Sequence, residues 1–421
     1  MSMGCPSVDP LTRSDPLTPA LSNLLAAARR LLLTACLLAL AACGPGVAIA
    51  EPQAPASAVP ALTTAAAAPT LPPAAPTAAA PAATSTPMLT PVPPTPTGLP
   101  SATPPPEIEL LFTGDINPGR CVYTKAKAAD DMALPYRPLA KILQAADITI
   151  GSLDGAISDY NPPNPCVETH RNLIGPAEVA AGLGFAGYDV MAVATNHAKD
   201  CGLIRGCVNN SLFDTRLNLL AAGIQPVGSG ANLDEAIAPV IITVDGVRFA
   251  FVALTAINYA IWATDTEPGV APFKTEVYLE SIRRAAAQAD VVIVLPHWGR
   301  EFSAELTYEQ TGAAAKMVAA GATLVVGNHP HRVQGVETFP NGAVAAYALG
   351  NFVFDMTWSD GTLFTIQGIM LRARFRGPEL VGIELLPIHI YDDFQPALAP
   401  PAEAAQILQD VAASLASAPA R

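Results

Sequence analysis

From Ile108 onward the chain alternates short apolar runs with stretches that are alanine-rich or apolar on one helical face. Ile108-Glu109-Leu110-Leu111-Phe112 predicts a strand ending in Thr113-Gly114-Asp115. Further apolar runs predict strands at 148–150, 190–193, 291–295, 324–326 and 344–349, and the stretches at 138–146, 212–222, 281–289 and 310–320 predict helices between them. Alternation of this kind points to an α/β fold with a buried sheet. Residues 240–244 and 247–254 flank Asp245-Gly246, a pair suited to the two-residue primed turn of a β-hairpin. Residues 368–375 and 380–386 predict a second antiparallel pair. Near the end, Ala404, Ile407, Leu408, Val411, Ala412 and Leu415 share one helical face, which predicts a helix within 396–421 packed on the domain. No internal repeat is present.

Composition divides the chain. All 25 aromatic residues lie at or after Phe112, so the first quarter cannot build an ordinary core. Of 42 prolines, 18 fall between Gly44 and Pro106, and residues 52–106 carry no charge. Residues 43–106 therefore read as an extended Ala/Pro/Thr linker, reaching at most roughly 200 Å at ~3.1 Å per residue. The folding unit starts at Glu107, with the main domain assigned to 107–395. Upstream, Arg29 and Arg30 precede a 12-residue, largely apolar run from Leu31 to Ala42, too short for a comfortable membrane span. Residues 1–42 thus predict a secretory signal. Leu40-Ala41-Ala42-Cys43 resembles the bacterial lipobox, which makes Cys43 the expected lipidation site and the chain an extracytoplasmic, cell-membrane-anchored lipoprotein. A plain cleaved signal or a short anchor, with an incidental cysteine, is the alternative. Four cysteines fall in the domain, an even count that suits disulfides in an exported protein. Of three connectivities, local spacing favours Cys201 with Cys207, leaving Cys121 with Cys166.

The formal charge is −13 and no Lys/Arg-rich run occurs, which argues against a nucleic-acid partner. Polyanionic substrates are compatible with it, because a metal or a few arginines can invert the field inside a cleft. Six histidines are present, and four lie at predicted strand ends or in the turns that follow: Asn196-His197, Pro296-His297-Trp298 and Asn328-His329-Pro330-His331. Asp115 ends the first strand in the same way. Ligands bind at the carboxyl ends of strands in open α/β sheets, so these turns can converge on one cleft. An Asp, an Asn and several His there suit a divalent metal centre that activates water and clamps a phosphoryl oxygen.

The ordered set Gly114-Asp115-Ile116, Gly151-Ser152-Leu153-Asp154-Gly155, Thr195-Asn196-His197-Ala198-Lys199-Asp200-Cys201-Gly202, His297-Trp298-Gly299-Arg300-Glu301-Phe302, Gly327-Asn328-His329-Pro330-His331-Arg332-Val333-Gln334 and Tyr347-Ala348-Leu349-Gly350-Asn351-Phe352-Val353-Phe354-Asp355 resembles the successive motifs of the CapA family, over about residues 108 to 390. That family comprises bacterial capsule or poly-γ-glutamate synthesis proteins. The resemblance implies a calcineurin-like metallophosphoesterase-type β-sandwich flanked by helices, in four layers α/β/β/α. It implies that Asp115, Asn196, His297, His329 and His331 are the positions that hold one or two divalent ions, with Mn, Fe or Zn as candidates, and that His197 stabilises the transition state.

Two positions depart from the phosphoesterase pattern. Asn117 stands where the first motif has His, and Ser152 stands where the second has a bridging Asp; serine is a poor substitute for a carboxylate that holds two cations together. Asp154, where the CapA pattern usually has Glu, can reach in as a replacement or can cap the following turn. Arg300 and Arg332 either point into the cleft and hold an anionic substrate or sit on its rim; for Arg120 the rim is the expectation. Trp298 is expected to pack, and Asn351 to support the site. Three functions are compatible with this reading. The chain is an exported CapA-like protein of capsule or poly-γ-glutamate synthesis with a metal-dependent hydrolase site acting on an anionic polymer or phosphoester, a non-catalytic subunit that binds the membrane components of a polymer synthase, or an independent phosphoesterase.

Overall fold

The structure is a computed structural model that describes residues 106–160, 166, 171–201, 207–356, 364–392 and 394–420. The expected signal, Cys43 and the linker up to residue 105 lie outside the described residues. In chain order the strands are β1 (Glu107–Ile116), β2 (Ile148–Leu153), β3 (Ala156–Ile157), β4 (Ile174–Gly175), β5 (Val190–Ala192), β6 (Gln225–Val227) and β7 (Ser229–Gly230). Then come β8 (Val240–Val244), β9 (Val247–Thr255), β10 (Gly269–Val270), β11 (Val291–His297), β12 (Leu324–Val326), β13 (Val336–Thr338) and β14 (Val344–Ala346). The last four are β15 (Asn351–Val353), β16 (Gln367–Arg376), β17 (Glu379–Tyr391) and β18 (Gln395–Leu398).

Two large sheets result, one ordered β18-β17-β16-β1-β2-β5-β6 with β15 also on β1, the other β13-β14-β12-β11-β9-β8. In the first, β1, β2, β5 and β6 run parallel. In the second, β9, β11, β12 and β14 do. Side-chain alternation explains the layering. Phe249, Phe251 and Ala253 of β9 join Leu110 and Phe112 of β1 in a core between the sheets. Ala250, Val252 and Leu254 point the other way, onto Ile282, Ala285, Ala314 and Met317 of the helices Thr275–Ala286 and Tyr308–Ala319. On the far side, Leu111 and Ile116 of β1 meet Leu183 of the helix Val179–Ala186 and Leu219 of the helix Val208–Ala221. Strands covered on both faces must be apolar nearly throughout, which is why they are legible as runs. The four-layer α/β/β/α sandwich is thus the fold observed. Phe249 and Phe375 tie its sheets edge-to-face at 5.2 Å.

Both expected hairpins form. Asp245 (φ 48°) and Gly246 (φ 81°) both take the positive φ that a primed turn needs. The second pairs β16 with β17 and turns at Gly377, φ 59°. Both disulfides form as the spacing favoured, Cys121–Cys166 and Cys201–Cys207. Closing the first loop, of 45 residues, contributes about 4 kcal/mol in chain-entropy terms, and the second about 2 kcal/mol.

Some elements differ from expectation. The helix expected at 138–146 is a single turn, Ala140–Leu143, because the Leu143 carbonyl accepts from Thr149 Oγ1 (2.6 Å) as the chain turns into β2. The terminal helix runs Pro401–Ala416 and buries Ile407 and Val411 as expected, while Leu408 and Ala412 of the same expected face are exposed. Ser414 takes their place. Its hydroxyl donates to Ala304 O (2.5 Å) and accepts from Gly335 N–H (3.0 Å), so hydrogen bonds join the packing of Leu415 in fixing the last turns.

Candidate functional site

Asp115 is set by a local irregularity in β1. A Cβ on Gly114 would lie 2.0 Å from Gly350 O, so only glycine allows that approach, and the register to β2 and β15 shifts around Asp115. Asp115 then pairs with Ser152, whose hydroxyl donates to Asp115 Oδ1 (2.8 Å). One residue past β2, Asp154 is fully buried. From the other sheet, His297 ends β11 and Asn328 follows β12. The loop is pinned beside β11 by Trp298 N–H donating to Asn328 O (3.0 Å) and Asn328 N–H to Pro296 O (3.0 Å). His329 (φ 102°) and His331 (φ 55°) both hold positive φ, a strain the surrounding contacts must sustain. Part of that hold is Phe302 N–H donating to Pro330 O (2.8 Å).

These strand ends meet. His297 Nδ1 lies 3.8 Å from Asp115 Oδ1 and its Nε2 3.6 Å from Asp154 Oδ1. His331 Nδ1 lies 3.8 Å from Asp115 Oδ2 and its Nε2 3.8 Å from Asp154 Oδ2. The hydrogen bonds settle the tautomers. Asn351 donates Nδ2–H to Thr365 O (2.9 Å), so its Oδ1 accepts from His331 Nδ1–H (2.8 Å), leaving a lone pair on Nε2. Asn196 Oδ1 accepts from His297 Nε2–H (2.8 Å), leaving a lone pair on Nδ1 that faces Asp115. Burial, followed by the neighbouring imidazoles, holds His297 well below the ordinary histidine range. The same causes bring His329 to about 3. His331 is lowered by burial against the pull of Asp154 and Asn351. All three rings are neutral at neutral pH, the form that offers a lone pair to a metal. Asp115 is pushed well above the usual carboxylate range by burial and then by Asp154, against hydrogen bonds from His329 N–H and Ser152.

His197 is half-buried and donates Nδ1–H to Asp200 Oδ2 (2.6 Å), which also accepts Leu173 N–H (2.7 Å). Burial lowers its pKa, but Asp154 and Asp200 outweigh that and push it up to about 9. Arg300 is exposed and Arg332 half-buried, both in turns that leave the site. Trp298 packs as expected, buried, with Nε1–H donating to Tyr347 O (2.8 Å). Arg120 is a correction: it is not a rim residue but 3% exposed, and its guanidinium bonds both oxygens of buried Asp355. Asp355 also accepts from Asn117 Nδ2–H (2.8 Å) and Cys121 N–H (2.9 Å). Neither Asp355 nor Asn328 stands out as a site residue from sequence. For Asn328 a signal exists, an amide in the same turn as two histidines.

Among the described residues, no group of three or more His, Cys, Asp or Glu side chains is placed so that it could hold a metal ion. The donor atoms left over are nonetheless of the types that bind divalent cations. Five buried side-chain atoms of the described residues lack a hydrogen-bond partner, and all five are here: Asp154 Oδ1 and Oδ2, His297 Nδ1, Asn328 Oδ1 and His329 Nδ1. A buried carboxylate and imidazole lone pairs without partners are costly unless a cation answers them, and nitrogen with carboxylate and amide oxygen suits Mn, Fe or Zn.

A family profile described as bacterial capsule synthesis protein PGA_cap matches residues 109–356. The PGA biosynthesis protein CapA of Bacillus subtilis (strain 168) is 31% identical over 289 residues, covering 68% of this chain and 72% of that one. The capsule biosynthesis protein CapA of Bacillus anthracis is 28% identical over 292 residues, covering 68% of each. Among solved structures, a 5'-nucleotidase precursor from Thermus thermophilus is 16% identical with a TM-score of 0.40, over 74% of this chain and 58% of that one, too distant to carry an argument. With the profile spanning every site residue from Asp115 to Asp355, this chain belongs to the bacterial capsule synthesis protein PGA_cap family.

Proposed function

We propose that this chain acts in the synthesis or handling of an anionic polymer of the poly-γ-glutamate type, as a divalent-cation-dependent hydrolase at the outer face of the cell membrane. Family membership supports the polymer, since its relatives are named for PGA and capsule biosynthesis. The observation that carries the hydrolase is the gathering of all five unsatisfied buried side-chain atoms of the described residues at one meeting of strand ends. Asp115, Asp154, Asn196, His297, His329 and His331 are the residues that would hold the cation. When bound, it supplies Lewis-acid polarisation of a phosphoester or amide oxygen and eases deprotonation of the attacking water. The chain's own residues do the rest. Asn196 and Asn351 orient the His297 and His331 rings. His197, held by Asp200 through Nδ1, keeps Nε2–H to donate to developing negative charge. Arg300 and Arg332 supply positive charge beside the cleft for an anionic substrate.

Chelation tests this. Hydrolysis of a model phosphodiester and of a γ-glutamyl polymer by the purified chain should fall at least ~100-fold after EDTA and return with Mn2+. Activity indifferent to EDTA, or absent on both substrates, counts against the hydrolase. One observation favours the second reading, a non-catalytic subunit bound to a membrane polymer synthase. Ser152 and Asn117 are neutral and engaged in hydrogen bonds within the protein. Polymer binding without turnover would select it.

We also propose that the chain is exported and anchored by lipid on Cys43. Cys43→Ser should move it from the membrane fraction to the soluble one, and unchanged membrane association and processing would sink that proposal.

A further inference from the structure

We infer that β8 is a self-pairing edge: two copies of this chain join antiparallel along Val240–Val244, so that the sheet β13-β14-β12-β11-β9-β8 continues across a two-fold axis into its copy. The two large sheets end in four outer strands, and three of these are blunted against such pairing. β6 (Gln225-Pro226-Val227) and β18 (Gln395-Pro396-Ala397-Leu398) each carry a proline, and β13 (Val336-Glu337-Thr338) is three residues long with a carboxylate at its centre. β8 has none of these devices. It reads Val240-Ile241-Ile242-Thr243-Val244, five β-branched residues without charge or proline, in unbroken register with β9.

The direction of its backbone follows from the hairpin. Val244 and Val247 flank the two-residue turn and exchange hydrogen bonds, as then do Ile242 with Phe249 and Val240 with Phe251. The far side of β9 keeps the same alternation, since Arg248 N–H donates to Asp290 Oδ2 (3.0 Å) and Arg248 O accepts from Asp290 N–H (2.9 Å) beside β11. The N–H and C=O groups of Ile241 and Thr243 therefore point away from β9. Among the described residues no other strand pairs with β8, and both residues are exposed, Ile241 at 38%.

A second copy of β8 fits this edge better than a foreign strand because the edge is complementary to itself. Antiparallel about Ile242, it sets Ile241 of each copy opposite Thr243 of the other. Each of those pairs exchanges two N–H···O bonds, which uses every outward group. Slipping the register by two residues one way puts Pro239, which has no N–H, opposite Thr243; the other way puts Ile241 opposite Asp245 of the turn. Charge agrees with this choice. The chain carries −13, yet residues 239–244 carry none, and Asp245 falls opposite Pro239 of the second copy, so like charges do not meet along the seam. The contact is small, which makes association concentration-dependent.

Cross-linking and sedimentation of the full-length chain in detergent test this. In the two-fold register the Ile242 Cα atoms of the two copies lie ~4.5 Å apart, within reach of a disulfide, whereas those of Val240 lie roughly 14 Å apart. Under mild oxidation Ile242→Cys should give a covalent dimer on non-reducing electrophoresis, and Val240→Cys should give no more than the parent chain. The parent should sediment as a dimer that dissociates over a ~100-fold dilution. Thr243→Pro removes one outward N–H and leaves the β9 ladder whole, so it should sediment as a monomer throughout. Circular dichroism checks the fold of each variant, and Thr243→Lys replaces Thr243→Pro if the latter does not fold. A parent that is monomeric at every concentration, equal cross-linking by the two cysteines, or a dimer that survives a folded Thr243→Pro or its substitute overturns the inference.

Discussion

Asp355→Ala is expected to destabilise the folded chain by about 3–5 kcal/mol, the range for removing one partner of a buried ion pair. The side chain of Arg120 is 4% exposed and that of Asp355 is fully buried. Asp355 receives Arg120 Nε–H at 3.0 and 3.1 Å, Asn117 Nδ2–H at 2.8 Å and Cys121 N–H at 2.9 Å. Alanine takes the carboxylate from a buried guanidinium, and with it the acceptor of a buried amide and of an N–H in the first turn of the helix Arg120–Ala128. Desolvation dominates that cost, so the pair's net worth is much smaller. The double variant Arg120→Met/Asp355→Leu, which removes both charges, should therefore lose less than the single one. Thermal unfolding reads the difference, at roughly 2–4 °C per kcal/mol for a domain of 150–250 residues and less for a larger one. A single variant within about 1 kcal/mol of the parent would show that water reaches the guanidinium.

His197→Ala is expected to lower hydrolysis by ~10²–10⁴-fold while leaving the bound cation in place, the loss typical of one positioned proton donor. The imidazole is oriented by Asp200 through Nδ1 at 2.6 Å, and Asp200 is itself held by Leu173 N–H at 2.7 Å. None of the unsatisfied atoms belongs to His197, so truncating it removes a donor of charge-stabilising hydrogen bonds and no ligand. Asp200→Asn keeps the ring but changes the partner of its Nδ1, and should cost less than the alanine. Metal content measured on the same samples decides the role. If His197→Ala loses the cation together with the activity, His197 is a ligand and the division of labour is wrong.

Both predictions turn on features of unequal visibility in the sequence. The histidines can be picked out because each follows an apolar run, and in parallel α/β sheets the ends of such runs collect ligands. Asp154 is visible as a choice between reaching in and capping a turn; its position between His297 and His331 answers that choice. Arg120 is misleading, because nothing local distinguishes an arginine on a rim from one paired with a residue 235 positions away. The helix Arg120–Ala128 escapes the pattern for a related reason. Its buried Cys121, Val122 and Ala126 are small or scattered among lysines, and the segment is held partly by Asp355. Ser414 shows the same limit at the other end of the chain, where apolar periodicity ranks Leu408 and Ala412 above the hydroxyl that docks the helix.

By itself the sequence determined the α/β class, most strand positions, both hairpins, both disulfide pairings, the set of strand-end side chains and the family they resemble. Each follows from short-range chemistry: apolar runs that must be covered, an Asp-Gly pair that takes positive φ, two cysteines six residues apart that leave the other two to each other, motifs in fixed order. Only the tertiary structure decided which donors are satisfied and which are left over. Whether Asp115 has Ser152 and His329 to bond, or Asp154 has no hydrogen-bond partner among the described residues, depends on atoms brought together from different strands and different sheets. Burial then fixes the consequence, since the same carboxylate that water would satisfy on the surface must find a proton, a hydrogen bond or a cation between the layers.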